Sequence, residues 1–258
     1  MPALRSLEEL EKRLAGEVPP LILVHSDSPL LREEAAARVR EAALADPEVE
    51  RRAFRAEERL DFDAIRREVA APSLFAPRRL VEVHFGDAAP GEDGTGWLAE
   101  YAADPAPDVV LLVTLGYQNK KSQGKKWFKA VAAAGVTLAL FPPRRGELPR
   151  WLAERLRRRG LEPTRDAVTL LAERVEGNLE AAAAEIDKLV LHAGDGPLDV
   201  DAVLAAVGDQ ARFSVFALAE AALALEPGRA VRALGILRAE GSHLPPVIGA
   251  LAWDVRNL

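Results

Sequence analysis

Pro72-Ser73-Leu74-Phe75-Ala76-Pro77-Arg78-Arg79, running into Leu80-Val81-Glu82-Val83-His84-Phe85, is where a helical pattern ends and a strand pattern begins. Two large apolar neighbours, Leu74 and Phe75, sit between two prolines. Adjacent side chains in so short a link do not easily both point into one core. Either they are offered to a partner, as small exposed apolar clusters often are, or they plug the link onto its own domain. On these residues alone the plug weighs more, because apolar side chains are mostly core.

The strand that follows the link has counterparts on either side. Leu21-Ile22-Leu23-Val24, Leu80-Val81-Glu82-Val83, Val109-Val110-Leu111-Leu112-Val113 and Val136-Thr137-Leu138-Ala139-Leu140 read as strands buried on both faces. Helical patterns over 29–45, 61–71, 95–103 and 125–134 lie between them. Apolar strands separated by helical crossovers imply a largely parallel sheet with helices on both sides. A more polar segment, Val49 to Ala56, reads as an additional strand. Ser28 before Pro29 supplies an N-cap and a first-turn proline. Asp61 caps a helix whose Phe62, Ile65 and Val69 recur at three- to four-residue spacing.

Strand signals stop at Phe141-Pro142-Pro143-Arg144-Arg145-Gly146. Helices then follow at 147–159, 164–175, 178–193 and 200–207, the first with a stripe of Leu148, Trp151, Leu152, Arg155 and Leu156. Gly160, Gly177-Asn178 and Gly194 punctuate their ends. A third texture of helices at 214–225, 228–240 and 244–258 closes the sequence on an apolar face short of partners. The division expected is 1–143 (α/β), 144–209 (a small helical domain) and 210–258 (part of a further helical domain).

Composition narrows the function classes. The 258 residues are 49% hydrophobic and 29% charged, with a net charge of −6 and no cysteine. Disulfides, iron–sulfur clusters and thiolate chemistry are excluded. No apolar run approaches the roughly 18 residues of a membrane span, and Met1 to Arg13 lacks a signal-peptide core. A cytoplasmic protein with no membrane partner is expected. The net charge argues against binding nucleic acid through overall charge, although Lys120, Lys121, Lys125 and Lys126 cluster locally, as do Arg144, Arg145 and Arg150, and Arg157 to Arg159.

Catalytic and cofactor motifs are missing. A phosphate-binding loop after the first buried strand requires Gly-x-x-x-x-Gly-Lys-Ser/Thr, where this chain has His25-Ser26-Asp27-Ser28-Pro29-Leu30-Leu31-Arg32. Gly116 and Gly124 flank a lysine-rich turn without matching the motif. His25, His84, His192 and His243 have no metal-ligand spacing. Ser26 or Ser28 beside Asp27 stands at the strand end where parallel-sheet enzymes place their sites, so an enzyme acting near Ser26 and Asp27 is one alternative. An unrelated helical adaptor is another.

Several segments, in order, resemble the delta subunit of the bacterial DNA polymerase III clamp loader. They are Leu23 to Leu31, Ser73-Leu74-Phe75-Ala76-Pro77-Arg78, Leu148-Pro149-Arg150-Trp151, Glu176-Gly177-Asn178-Leu179, Arg212-Phe213-Ser214-Val215-Phe216, Ala230 to Leu234 and Leu237 to Gly241. The resemblance implies an AAA+-like α/β domain without a working nucleotide site, then a small all-α domain, then a partial all-α collar. It implies no cofactor and no catalysis by this chain itself, as a subunit of a DNA-directed DNA polymerase holoenzyme.

The resemblance further implies that Leu74 and Phe75 enter a hydrophobic pocket of the sliding clamp, beta, with Pro72, Ser73 and Ala76 shaping the segment. This reverses the weight given to the plug. The collar would join the ATPase subunits and delta prime. Primed DNA would lie within the assembly, with Lys120, Lys121, Lys125 and Lys126 facing it. Family members carry a longer collar, and this sequence is expected to end part-way into it.

Overall fold

The structure, a computed structural model, describes residues 3–55, 60–71, 78–192 and 196–207, with 218, 221–222, 226–228, 230–231 and 234 beyond them. The chain divides between Pro142 and Pro143 into two compact units. The further boundary expected at 209–210, Gly194 and most of the helical stretch expected after it lie outside the described residues.

The first unit is an α/β layer structure. Its elements are α1 (Leu7–Leu14), β1 (Leu21–His25), α2 (Pro29–Ala43), β2 (Glu50–Arg55), α3 (Phe62–Ala70), β3 (Arg79–His84), α4 (Gly91–Ala103), β4 (Val109–Leu115), α5 (Lys120–Gln123), α6 (Lys126–Ala134) and β5 (Val136–Ala139). The strands form one parallel sheet in the order β2-β3-β4-β1-β5. Every residue of β1, β3 and β4 is buried. Their continuous apolar character follows, since both faces of a parallel sheet are covered by crossover helices.

Alternation sorts the side chains between the two layers. Leu21, Leu23, Val81, Val83, Val109, Leu111, Val113 and Leu115 join Ile65 and Val69 of α3, Trp97 and Leu98 of α4, and Trp127, Phe128 and Val131 of α6 in one core. The opposite face receives α2, whose Leu31, Ala35, Ala36 and Val39 are buried, with α1 packed beside it. The caps read from sequence are made. Ser28 Oγ accepts the Leu31 N–H at 3.3 Å, and Asp61 Oδ1 accepts those of Asp63 and Ala64 at 3.0 Å.

Three elements depart from expectation: α4, α1 and the one-turn helix α5, which stands where the sequence reads as a lysine-rich turn. Helix α4 begins at Gly91 rather than 95, because Gly94 lets its first turn press against a neighbour. A Cβ there would stand 2.8 Å from Pro90 Cβ and 3.1 Å from the rings of Phe62 and Phe85. Helix α1 has no counterpart in the sequence reading. Its charged residues obscure a stripe of only two buried positions, Leu10 and Leu14.

The second unit contains α7 (Leu148–Arg158), α8 (Arg165–Val175), α9 (Leu179–His192) and α10 (Val200–Val207). Leu148, Leu152 and Leu156 of α7 are buried, while the Arg155 guanidinium lies 4.1 Å from the Trp151 ring centroid. Gly160 ends α7 at φ +81°, and Glu176 and Gly177 end α8 in the left-handed region. A single bridge joins the turns before α8 and α10, through Thr164 N–H to Leu198 O at 2.9 Å and Leu198 N–H to Glu162 O at 2.9 Å.

Glu82 is the one acidic side chain of β3 and is wholly buried. Arg40 of α2 donates to both of its oxygens at 3.1 and 3.0 Å, and Arg51 of β2 donates to Oε1. His84 Nε2 lies 3.0 Å from Oε2; a carboxylate only accepts, so that nitrogen carries the hydrogen. His84 Nδ1 lies 2.8 Å from the Thr114 hydroxyl. Burial alone would raise the Glu82 carboxyl, but hydrogen bonds from His84, Arg40 and Arg51 outweigh it and hold the group well below the usual carboxylate range.

A carboxyl lowered by folding stabilises the native state fully above its unfolded value of about 4.3, and that contribution drains away as pH falls toward the folded value. Replacing Glu82 leaves two arginines facing an uncharged group, and breaking such a pair costs about 3 kcal/mol or more. Urea unfolding at pH 7 is expected to find Glu82→Gln destabilised by about that amount. The gap between wild type and variant is expected to narrow steadily from pH 5 to pH 2.

Candidate functional site

The crossovers place two candidate regions at opposite ends of the strands. At the carboxyl end, β1 leads through Ser26, Asp27 and Ser28 into α2. Ser26 is completely buried, and its Oγ accepts the Ser28 N–H at 3.1 Å. Ser28 Oγ is committed to the Leu31 amide. Arg32, also buried, sends Nη1 to the Ser26 carbonyl and Nη2 to Asp87 in the turn after β3. That turn presses on the end of β4: a Cβ on Gly116 would lie 2.4 Å from the Asp87 carbonyl oxygen. Arg32 thus ties the turn after β1 to the turn after β3, and Arg32 and Asp87 both line a cavity of about 490 Å³ at this end of the sheet.

His25 completes this end. It lies between Tyr117 and Phe128, with ring centroids at 5.4 and 5.6 Å, and its Nδ1 accepts the Gln118 N–H at 3.2 Å. Burial lowers its pKa to about 4 against the opposing pull of Asp27. The ring is therefore neutral near pH 7 and engaged with the turn after β4. A wholly buried serine cannot meet a substrate, and Asp27 faces solvent. The geometry speaks against an enzyme site at Ser26 and Asp27.

The lysine cluster lies at the same end of the sheet. Lys120 and Lys121 open α5, which Asn119 caps through the Ser122 N–H at 3.0 Å. Lys125 is the N-cap residue of α6 and Lys126 its first residue. All four are exposed, as is Lys129 one turn on, and none pairs with an acidic side chain among the described residues. The fold brings these charges onto one short, solvent-facing segment.

At the amino end of the sheet, α3 finishes and β3 begins. Ala71 caps α3 through its N–H to Arg67 O at 3.0 Å, and Arg79 N–H donates to Asp108 O at 2.8 Å. The buried Arg79 side chain reaches from the first residue of β3 to the last turn of α3 and to the residue before β4. The residues between these anchors, including Pro72, Ser73, Leu74, Phe75 and Ala76, lie outside the described residues.

Sequence reasoning missed Arg32, Arg79 and the partners of Glu82. Only Glu82 carried a signal: a carboxylate inside an apolar strand demands cations. Among the described residues no group of three His, Cys, Asp or Glu side chains is arranged to hold a metal. His84 serves Glu82, His192 Nδ1 lies 2.8 Å from Lys188 O, and His243 is outside the described residues. No helix among the described residues is long and apolar enough to cross a membrane.

Comparison with known proteins adds the following. Residues 25–140 match the family model described as DNA polymerase III, delta subunit. The DNA polymerase III subunit delta of Escherichia coli (strain K12) is 32% identical over 241 residues, covering 93% of this chain and 70% of that protein. The Haemophilus influenzae protein of the same name is 24% identical over 248 residues, with the same coverage. The solved structure of the Bacillus subtilis DNA clamp loader delta protein superposes with a TM-score of 0.61 at 19% identity, over 97% of this chain and 77% of that one. At that identity the superposition speaks to fold alone.

The close approach of the turns around Gly116 and Asp87 has a consequence for stability. Gly116→Ala forces a methyl group against the Asp87 backbone, a clash relieved only by moving one of two turns. Overpacking of this kind costs about 1–3 kcal/mol. Chemical denaturation is expected to show a loss in that range, and wild-type stability would mean that the two turns are looser than described.

Proposed function

The chain belongs to the DNA polymerase III delta subunit family, and on that premise we propose that it binds the sliding clamp and opens its ring for loading onto primed DNA, without hydrolysing ATP itself. The observation that carries the reading is the pairing of Leu74 and Phe75 between Pro72 and Pro77, in the sequence between the end of α3 and the start of β3. Leu74 and Phe75 are the anchors in this reading, with Pro72, Ser73 and Ala76 shaping their presentation. The stretch His25 to Arg32, which follows β1 without the glycines and lysine of a phosphate-binding loop, supports the view that ATP is handled by other subunits.

The mechanism is binding energy used mechanically. Burying a large apolar side chain contributes roughly 1.5–3 kcal/mol, and a few such anchors dominate most interfaces. Opening a ring requires that the open clamp be bound more tightly than the closed one, because equal affinity for both shifts nothing. ATP turnover elsewhere in the assembly would govern when the link is available. This chain would meet the ATPase subunits and delta prime through a collar formed from 210–258, following a small helical domain at 144–209 and the AAA+-like domain at 1–143. The setting is the bacterial cytoplasm, where primed DNA is replicated.

Two experiments test the reading. The double variant Leu74→Ala with Phe75→Ala is expected to lose about a hundredfold or more of its clamp affinity, with ATP absent and the circular dichroism spectrum unchanged. Wild-type binding by that variant overturns the site assignment. Lys120, Lys121, Lys125 and Lys126 are assigned to DNA within the assembled loader. Reversing their charges is expected to weaken binding of primed DNA and flatten its salt dependence, by about one unit of log–log slope for each phosphate no longer neutralised. Unchanged affinity and slope remove the lysines from the interface.

A further inference from the structure

One buried side chain joins both ends of the link that carries Leu74 and Phe75. Arg79 begins β3, and its side chain is only 4% exposed. Its Nη2 and Nε donate to Asp108 Oδ2 at 2.7 and 3.3 Å, tying β3 to the residue before β4. Its Nη1 donates to the backbone carbonyl of Glu68, with Glu68 Oε1 at 3.9 Å. The Glu68 carbonyl belongs to the last turn of α3, where the helix leaves its final four carbonyls without internal partners. Arg79 supplies one of those missing donors from across the link.

A planar guanidinium suits this task because its donors point in several fixed directions at once, which an ammonium on a flexible stem cannot reproduce. From this geometry we infer that Arg79 is a positioning residue for clamp contact: it holds fixed the two anchors, Ala71 and Arg78, between which residues 72–77 run. The inference rests on the reading of Leu74 and Phe75 as the clamp-contacting pair. Arg79 is itself buried and is assigned no contact with the partner. Its contribution is to reduce the ordering cost of binding, which falls in full on a segment with loosely held ends.

The test is calorimetric titration of the sliding clamp with the full chain and its variants, at a temperature where circular dichroism shows each fully folded. Arg79→Lys is measured beside Arg79→Met, because it keeps a charge next to Asp108 and so retains a folded variant for the test if the methionine variant fails to fold. The expected result is clamp binding weaker by about tenfold in the folded variants, equivalent to about 1.4 kcal/mol, with the loss carried by entropy. The heat-capacity change of binding stays at the wild-type value, since the same apolar surface is covered. Wild-type affinity in a folded Arg79 variant overturns the positioning role, and so does a loss accompanied by a smaller heat-capacity change. Leu74→Ala with Phe75→Ala, run alongside, separates the two levels. Wild-type affinity for that variant overturns the reading beneath, whereas its weakened binding beside intact Arg79 variants overturns the positioning role alone.

Discussion

Strands β1, β3 and β4 turn neither face to water, and the layout of the first unit follows from that constraint. A sheet buried through its middle must receive helices on both sides, and parallel strands can be joined only by crossovers. Each crossover delivers one turn to the carboxyl ends of the strands and another to the amino ends. The turn after β1 and the link after α3 are therefore separated by the length of the strands. With six residues in β3 at about 3.3 Å each, that is roughly 20 Å. The end where related folds handle phosphates and the end assigned to partner contact are physically distinct.

Three buried charged residues hold this arrangement in register. Arg32 links two turns at the carboxyl end, Arg79 braces the amino end, and Glu82 stands between them. Each is satisfied by groups from more than one element: Arg32 by the turns after β1 and β3, Arg79 by α3 and the start of β4, Glu82 by α2 and β2. The hydrophobic effect is non-directional and does not by itself specify one alignment. A buried ion with directional partners does, so these residues fix alignments that oily packing alone leaves loose.

Much of this was legible in the sequence, for definable reasons. Continuous runs such as Val109 to Val113 leave no polar face, and Ser28-Pro29 and Asp61 mark helix starts by local chemistry. Parallel crossovers and the fold class followed from them. What escaped was whatever depends on distant partners. Arg32 and Asp87 are 55 residues apart and Arg79 and Asp108 are 29 apart, and nothing local marks any of these as paired. Helix α1 escaped because two leucines make too narrow a stripe to stand out among charges. The pair Leu74 and Phe75 was conspicuous by being adjacent and bracketed by prolines, but its purpose came from resemblance and not from spacing.

Strand β2 lies at the rim of the sheet, and its residues are exposed apart from the half-buried Phe54. Its composition, Glu50-Arg51-Arg52-Ala53-Phe54-Arg55, is unlike the oily strands beside it. An unpaired rim offers free backbone donors and acceptors to any passing extended segment, and clustered like charges discourage that attachment. Arg51 is also drawn inward to Glu82, so the same residue that repels intruders pins the rim to its neighbour. At the opposite rim, Leu4 bridges to β5, with N–H to Thr137 O at 2.8 Å and its carbonyl accepting the Ala139 N–H at 3.0 Å. Both borders are thereby made unreceptive to stacking, which suits a molecule that must crowd against others without fusing into fibres.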